Sequence, residues 1–298
     1  MDAQGSEVHL LNNRFLEARS MKVTVIIDNA VRPGVRLPLL AEHGLSLLIE
    51  HEGKKVLFDA GQTSAVVSNL NLLGFRPSEL DMLVVSHGHY DHTGGIFHVL
   101  QHARKTIPVY AHKGIFQSRY SISGTQRRFI GIPYEKELLT ALGAEWHFSD
   151  KPTEIISGLW ISGHIPRYTD YETGDSELMT CAADGSECQD KVEDDTSLYY
   201  ASPRGLVVIG GCTHSGLVNT VRWGLEVTGT SRLAGWIGGT HLGPLSKEQQ
   251  GSTLTQLALF NPEFIAANHC TGFAMMATLY ECFGDRFIPA FVSTVIDL

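Results

Sequence analysis

The sequence predicts two mixed β-sheets lying face to face with helices on their outer faces, a fold of mixed α+β and α/β character, on three observations. The chain opens with hairpin-connected strands, its second half alternates helix with strand, and the side chains suited to chemistry run from residue 87 to residue 269. A length of 298 residues would allow two domains of about 150 each. Ligand-type residues so far apart in sequence have to converge, which favours one. A hydrophobic content of 43% against 18% charged residues supplies enough apolar surface for a sizeable core.

Residues 22–27 and 45–50 read as strands, and 56–59 pairs with the second of these across a turn at Glu52 and Gly53. Asn29 and His43 then fall in loops beside that sheet. The helical spacing of 64–73 stops at Gly74. A short apolar strand over 81–86 leads into a histidine-rich turn, after which 96–102 resumes helical spacing and 107–111 forms a further strand. Later, strands 197–201 and 205–211 make a hairpin around Ser202, Pro203 and Arg204. Helix 217–227, strand 233–237, helix 246–260, strand 263–267 and helix 272–283 follow.

Two stretches lack such periodicity. Residues 112–137 are locally basic, with Lys113, Arg119, Arg127 and Arg128 interleaved with Phe116, Tyr120, Phe129 and Tyr134. This composition suits an insertion that covers a flat, anionic substrate and touches it through Arg127 and Arg128; a solvated surface excursion is the competing reading. Residues 168–195, rich in Glu, Asp, Gly and Ser, read as a loop whose Cys181 and Cys188 lack the neighbours a structural zinc site needs.

The most informative stretch is Ser-His-Gly-His-Tyr-Asp-His-Thr-Gly-Gly over 86–95, which places His87, His89, Asp91 and His92 within six positions at a strand-to-helix turn. Residues i and i+2 at a strand end project to one side, so His87 and His89 can grip one ion while Asp91 and His92 point toward a second. Burying these groups without a cation is costly. Imidazole with carboxylate suits zinc and also accommodates iron or manganese.

This His-x-His-x-Asp-His string resembles the signature of the metallo-β-lactamase superfamily. The Lys-Val-Leu-Phe-Asp-Ala-Gly run over 55–61 is similar to the upstream strand of that superfamily. Gly163-His164, Gly210-Gly211-Cys212-Thr213-His214 and Asn268-His269-Cys270-Thr271-Gly272 follow in its order. Within the superfamily, the segments 42–46, 163–167, 211–216, 238–242 and 269–272 resemble the 7,8-dihydropterin-6-methyl-4-(β-D-ribofuranosyl)aminobenzene-5′-phosphate synthase family. The resemblance spans residues 21–298 and leaves 1–20 as an N-terminal extension, a docking helix or a disordered segment.

The resemblance implies an αββα sandwich, the metallo-β-lactamase fold, formed by 21–298 as a single domain around a dinuclear site for two divalent metal ions, zinc foremost. The implied metal ligands are His87, His89, Asp91, His92, His164, Cys212 and His269, with Asp59 supporting them from behind. Cys212 stands where the superfamily usually has a bridging aspartate. A thiolate there favours zinc, and a packed apolar cysteine with His214 making the contact instead is the competing reading. His214 and His241 exceed what two ions require and are expected as catalytic groups that shuttle protons or hold a phosphate oxygen. His43, Arg167 and Asn29 join Arg127 and Arg128 as expected substrate contacts, Asn29 orienting a ligand from the loop after the first strand.

The expected function is that of a metal-dependent hydrolase or transferase acting on a small phosphorylated or pyrophosphorylated metabolite. The family reaction has a ribosylated aminobenzene attack a pterin diphosphate ester. Hydrolysis of a phosphodiester, lactone or thioester is the alternative, and a non-catalytic metal sensor leaves the spare histidines unused. A net charge of −9 with no basic tract argues against a nucleic-acid partner, so the partner is a small, anionic molecule. No stretch is apolar enough to span a membrane. Five cysteines at irregular spacing make no disulfide framework, and without a signal-peptide core the expected compartment is the cytoplasm.

Overall fold

The structure is a computed structural model that describes residues 20–181 and 186–298. The extension expected over 1–20 therefore lies, up to residue 19, outside the described residues. Strands β1 (Met21–Ile27), β2 (Ser46–His51) and β3 (Lys54–Phe58) run antiparallel, and the β2–β3 turn is tight because Glu52 and Gly53 both take left-handed φ. Then come α1 (Ala65–Leu72), β4 (Met82–Val84), α2 (Tyr90–Thr93), α3 (Ile96–Ala103), β5 (Ile107–Ala111), β6 (Arg119–Ser123), β7 (Gln126–Phe129), α4 (Lys136–Ala141) and β8 (Ala144–Phe148).

The second half comprises β9 (Thr153–Ile156), β10 (Leu159–Ile161), β11 (Leu178–Cys181), β12 (Glu187–Gln189), β13 (Ser197–Ser202) and β14 (Gly205–Gly210). These are followed by α5 (Leu217–Thr228), β15 (Leu233–Gly239), α6 (Lys247–Phe260), β16 (Phe264–Asn268), α7 (Phe273–Phe283), β17 (Phe287–Pro289) and β18 (Val295–Asp297). Ser246 starts α6 by accepting the Gln249 N–H at 3.2 Å.

Two seven-stranded sheets result, ordered β18-β1-β2-β3-β4-β5-β8 and β17-β16-β15-β14-β13-β10-β9. Val25, Leu47 and Phe58 of the first meet Leu198, Val207 and Ile237 of the second in the central layer. The far face of the first sheet buries Leu48 and Leu57 against Val66 and Leu70 of α1 and Val99 of α3. The far face of the second packs Val208 and Trp236 against Val221, Leu257 and Leu279 of α5, α6 and α7. Strands covered on both faces carry unbroken apolar runs such as the Leu-Val-Val-Ile of β14, as parallel sheets require. This is the αββα sandwich. Among the described residues no helix is long and apolar enough to cross a membrane.

Residues 112–137 and 168–195 depart from the irregular segments expected. β6 and β7 form a hairpin, and β11 and β12 extend it into a four-stranded sheet ordered β12-β11-β6-β7. The sequence concealed these strands because they are short, β7 is exposed along its whole length, and β6 finds β11 only through a distant pairing. The edge strand β18 was equally hidden, since it gains its partner β1 from the opposite end of the described chain.

Candidate metal centre

The chemical residues sit where strands end. Asp59 follows β3, His87 and His89 follow β4, Cys212 and His214 follow β14, His241 follows β15, and His269 and Cys270 follow β16. Because β3 with β4, and β14 with β15 and β16, run parallel, each set of carboxyl ends lies at one edge of its sheet, the usual place for an α/β site. The turns are strained: Asp59, Thr213, His241 and His269 have φ of 58°, 65°, 48° and 50°, a region that residues with a Cβ rarely occupy outside constrained sites.

Asp59 sets the ring orientations. Its Oδ1 accepts the Ser86 N–H at 2.7 Å, while its Oδ2 accepts the Ser86 hydroxyl at 2.7 Å and faces His92 Nδ1 at 2.7 Å. The only proton on Ser86 Oγ is thus committed to Asp59, so the His87 Nδ1 found 2.8 Å away must donate to it. One carboxylate in this way fixes His87 and His92 with their Nε2 lone pairs facing inward. A side chain at Gly211 would strike Ser86 Oγ, which explains glycine there.

His87, His89 and His214 form the first cluster, with one ring nitrogen from each within 4.8 Å of the others. His87 Nε2 lies 2.9 Å from His89 Nδ1. His89 Nε2 and both nitrogens of His214 are buried without a hydrogen-bond partner, an arrangement that costs free energy unless a cation receives the lone pairs.

The second cluster makes the same point more sharply. His269 Nδ1 must donate to Asn29 Oδ1 at 3.0 Å, because that oxygen already accepts the Gly44 N–H. His92 Nε2 and His269 Nε2 then point lone pairs at each other across 3.2 Å, with Cys212 Sγ 3.2 Å from the former and Asp91 Oδ2 3.3 Å from the latter. Acceptors facing acceptors require a positive charge between them, so the donor set fits a metal ion. Its mixture of nitrogen, sulfur and oxygen suits zinc or another borderline divalent ion.

Electrostatics agree with this geometry. Burial disfavours charge on His92, yet the Asp59 and Asp91 carboxylates outweigh it and raise its pKa to about 9, so without metal a proton occupies the cation's place. Burial lowers His89 to about 3, and His87 and His214 fall well below the usual range for the same reason, all three being neutral ligands at neutral pH. Asp91 is buried too, but His92, His269 and His43 hold its carboxyl well below the ordinary range. His241, also buried, is raised to about 9 by Asp175 and Cys270.

A cleft of about 560 Å³ opens over both clusters, with His43, Tyr90, Arg128, Asp175, Lys247 and Phe273 in its wall. His43 lines the cleft with its Nε2 3.2 Å from Asp91 Oδ2. Arg128 enters the cleft wall with its guanidinium 5.2 Å from the Tyr90 ring centre.

Several expectations need correction. His164 lies outside both clusters on an exposed loop, its Nδ1 3.4 Å from the Glu193 carbonyl oxygen, and His214 occupies the third position beside His87 and His89. Arg127 faces away from the cleft, stacked 3.5 Å over Tyr120 and ion-paired with Glu187 at 2.7 Å. Arg167 donates to the carbonyls of His214 at 3.0 Å and Lys191 at 2.7 Å, bracing the His214 loop from outside the cleft wall. Asn29 holds His269 and does not line the cleft. Sequence reading gave no role to Cys270, Asp28 or Asp175. Asp28 accepts the His269 N–H at 2.8 Å, and Asp175 Oδ2 lies 3.5 Å from His241 Nε2. A cysteine directly after a ligand histidine was the available signal for Cys270.

Fold and donor set together are those of a metallo-β-lactamase-type protein. The profile of the metallo-beta-lactamase superfamily matches residues 40–173, and the chain belongs to that superfamily. It is 31% identical over 267 residues to the 7,8-dihydropterin-6-methyl-4-(beta-D-ribofuranosyl)-aminobenzene-5'-phosphate synthase of Methanocaldococcus jannaschii, covering 85% of this chain and 89% of that protein. A second protein of that organism, described as uncharacterised, is 31% identical over 277 residues, which is 93% of this chain and all of the relative. Among solved structures, Tm1679, a metal-dependent hydrolase of the beta-lactamase superfamily, superposes with a TM-score of 0.79 at 23% identity, covering 93% of this chain and 99% of that one. The superfamily is one of enzymes.

Proposed function

We propose that this chain is a dinuclear metal-dependent enzyme that transforms a small phosphorylated or pyrophosphorylated metabolite. One observation carries the reading: two clusters of inward-facing acceptor atoms share a buried wall and open into a cleft that also bears Arg128 and Lys247. His87, His89 and His214 would hold one ion, and Asp91, His92, Cys212 and His269 the other. When bound, such ions supply Lewis-acid polarisation of a phosphoryl or carbonyl oxygen.

The chain's own groups bind and orient. Arg128 and Lys247 take the anionic end of the substrate, Arg128 as a planar fork. Phe273, 86% exposed at the cleft, and the half-buried Tyr90 offer ring faces to a planar group. His241, paired with Asp175, would hold an anionic oxygen. By its printed name, the relative makes a product joining a dihydropterin to a ribosylated aminobenzene phosphate; the cleft's mix of cations and aromatics supports that class of substrate here. The proposed setting is the cytoplasm, with no nucleic-acid partner.

Purified protein should be analysed for metal and offered phosphoesters, diphosphate esters, lactones and thioesters. The reading expects about two divalent ions per chain and turnover of the phosphate or diphosphate esters. Turnover confined to lactones or thioesters would overturn the substrate class. A metal-loaded protein with no turnover of any of them would favour a sensor.

A further inference from the structure

We propose that the second ion is held by a pair of thiolates, Cys212 and Cys270, in place of the single Cys212 sulfur, making a soft nitrogen–sulfur site selective for zinc over manganese or magnesium. This deepens the dinuclear reading above and rests on it. Cys212 Sγ, a His269 ring nitrogen and Cys270 Sγ all lie within 4.8 Å of one another. The left-handed φ of 50° at His269 opens a short 3₁₀ turn over His269–Thr271 that brings the two consecutive side chains, His269 and Cys270, to one centre. Both line the cleft, as Cys212 does, so an ion there is within reach of all three.

The surroundings of Cys270 fix its sulfur at this centre. The backbone N–H of His241 donates to its Sγ at 3.2 Å. Its Sγ also lies 3.6 Å from the Cys212 carbonyl oxygen, which a thiol proton reaches when no ion is bound. Space is reserved for it as well: a Cβ on Gly239 would come within 2.6 Å of Cys270 Sγ and 3.4 Å of Cys212 Cα. Thiolate donors prefer zinc and other soft or borderline ions over hard oxygen-seeking ones.

X-ray absorption on the zinc-loaded full chain, with metal content measured on the same sample, tests this. Two sulfurs shared over two ions give roughly one sulfur per zinc at about 2.3 Å. That count should fall to about half in Cys270→Ser and to none in the double variant with Cys212→Ser. Two zincs per chain with half a sulfur each, unchanged in Cys270→Ser, overturns the thiolate pair and leaves the dinuclear reading standing. Fewer than two ions in the wild type instead counts against the dinuclear reading. Should Cys270→Ser fail to fold, alkylation of the wild type decides: Cys212 and Cys270 should both resist modification with zinc bound and react after chelation. Equal labelling of Cys270 with and without zinc overturns the proposal.

Discussion

Arg119 clamps Asp194 through two bonds, Nη1 to Oδ2 at 2.9 Å and Nη2 to Oδ1 at 2.5 Å, and the same Oδ2 accepts the Gly88 N–H at 2.9 Å. A buried arginine on the β6–β7 hairpin is thereby tied to the backbone between His87 and His89. Arg119 Nε also reaches Asp190 at 2.8 Å. A side chain at Gly88 would collide with the Ile115 carbonyl and with Arg119, so this contact leaves no room for one.

Arg119→Ala strands two buried carboxylates without a counter-charge. Breaking a buried ion pair from one side typically costs about 3–5 kcal/mol, and denaturant unfolding should show a loss of that order. Arg119→Lys should recover only part of it, because an ammonium cannot reproduce the fork. Wild-type stability in Arg119→Ala would show the clamp to be energetically idle.

His87→Ala and His92→Ala each delete an inward Nε2 from a different cluster. Each variant should lose at least one bound ion by elemental analysis, together with most activity. Undiminished metal and turnover in both would remove the assignment.

Asp59→Asn keeps the size of the group that orients His87 and His92 but removes its charge. Such supporting partners are worth about 10–100-fold in metal affinity, to be read by competition with a chromophoric chelator. An unchanged affinity would mean that packing alone fixes the rings.

Arg128 and Arg127 are neighbours with opposite fates, because successive strand residues face opposite sides. Arg128→Ala should raise KM for a phosphorylated substrate by about tenfold or more, the worth of one charge-assisted hydrogen bond, with metal content intact. Arg127→Ala should change neither. Equal effects would return the hairpin to the role of a surface excursion.

Chelation should lower Tm, since an ion bound at a hundred times its Kd adds about 2.7 kcal/mol to the native state. Lowering the pH should erode that increment, because protons compete for the imidazoles and thiolates. A Tm insensitive to chelator at neutral pH would contradict a stabilising metal centre.

Local chemistry made much of this protein legible. The 86–95 turn stands out because ligand types clustered at a strand end are a short-range signal, and α1, α3, α5, α6 and α7 because helical periodicity is one too, whereas Asp59, Cys212 and His269 were singled out through the resemblance to the metallo-β-lactamase superfamily. Tertiary structure decided what depends on strand order and register. His164 and His214 both follow glycine-bearing strand ends, but His164 leaves β10 near the sheet's edge while His214 leaves β14 beside β15. Only that placement brings His214, and not His164, to His87. The same applies to Arg128 over Arg127, because the β6–β7 hairpin is positioned by the pairing of β6 with the distant β11, and to Cys270, whose nearness to Cys212 arises from two strands 58 positions apart in sequence. Such contacts are made by non-local pairing, which no window of sequence contains.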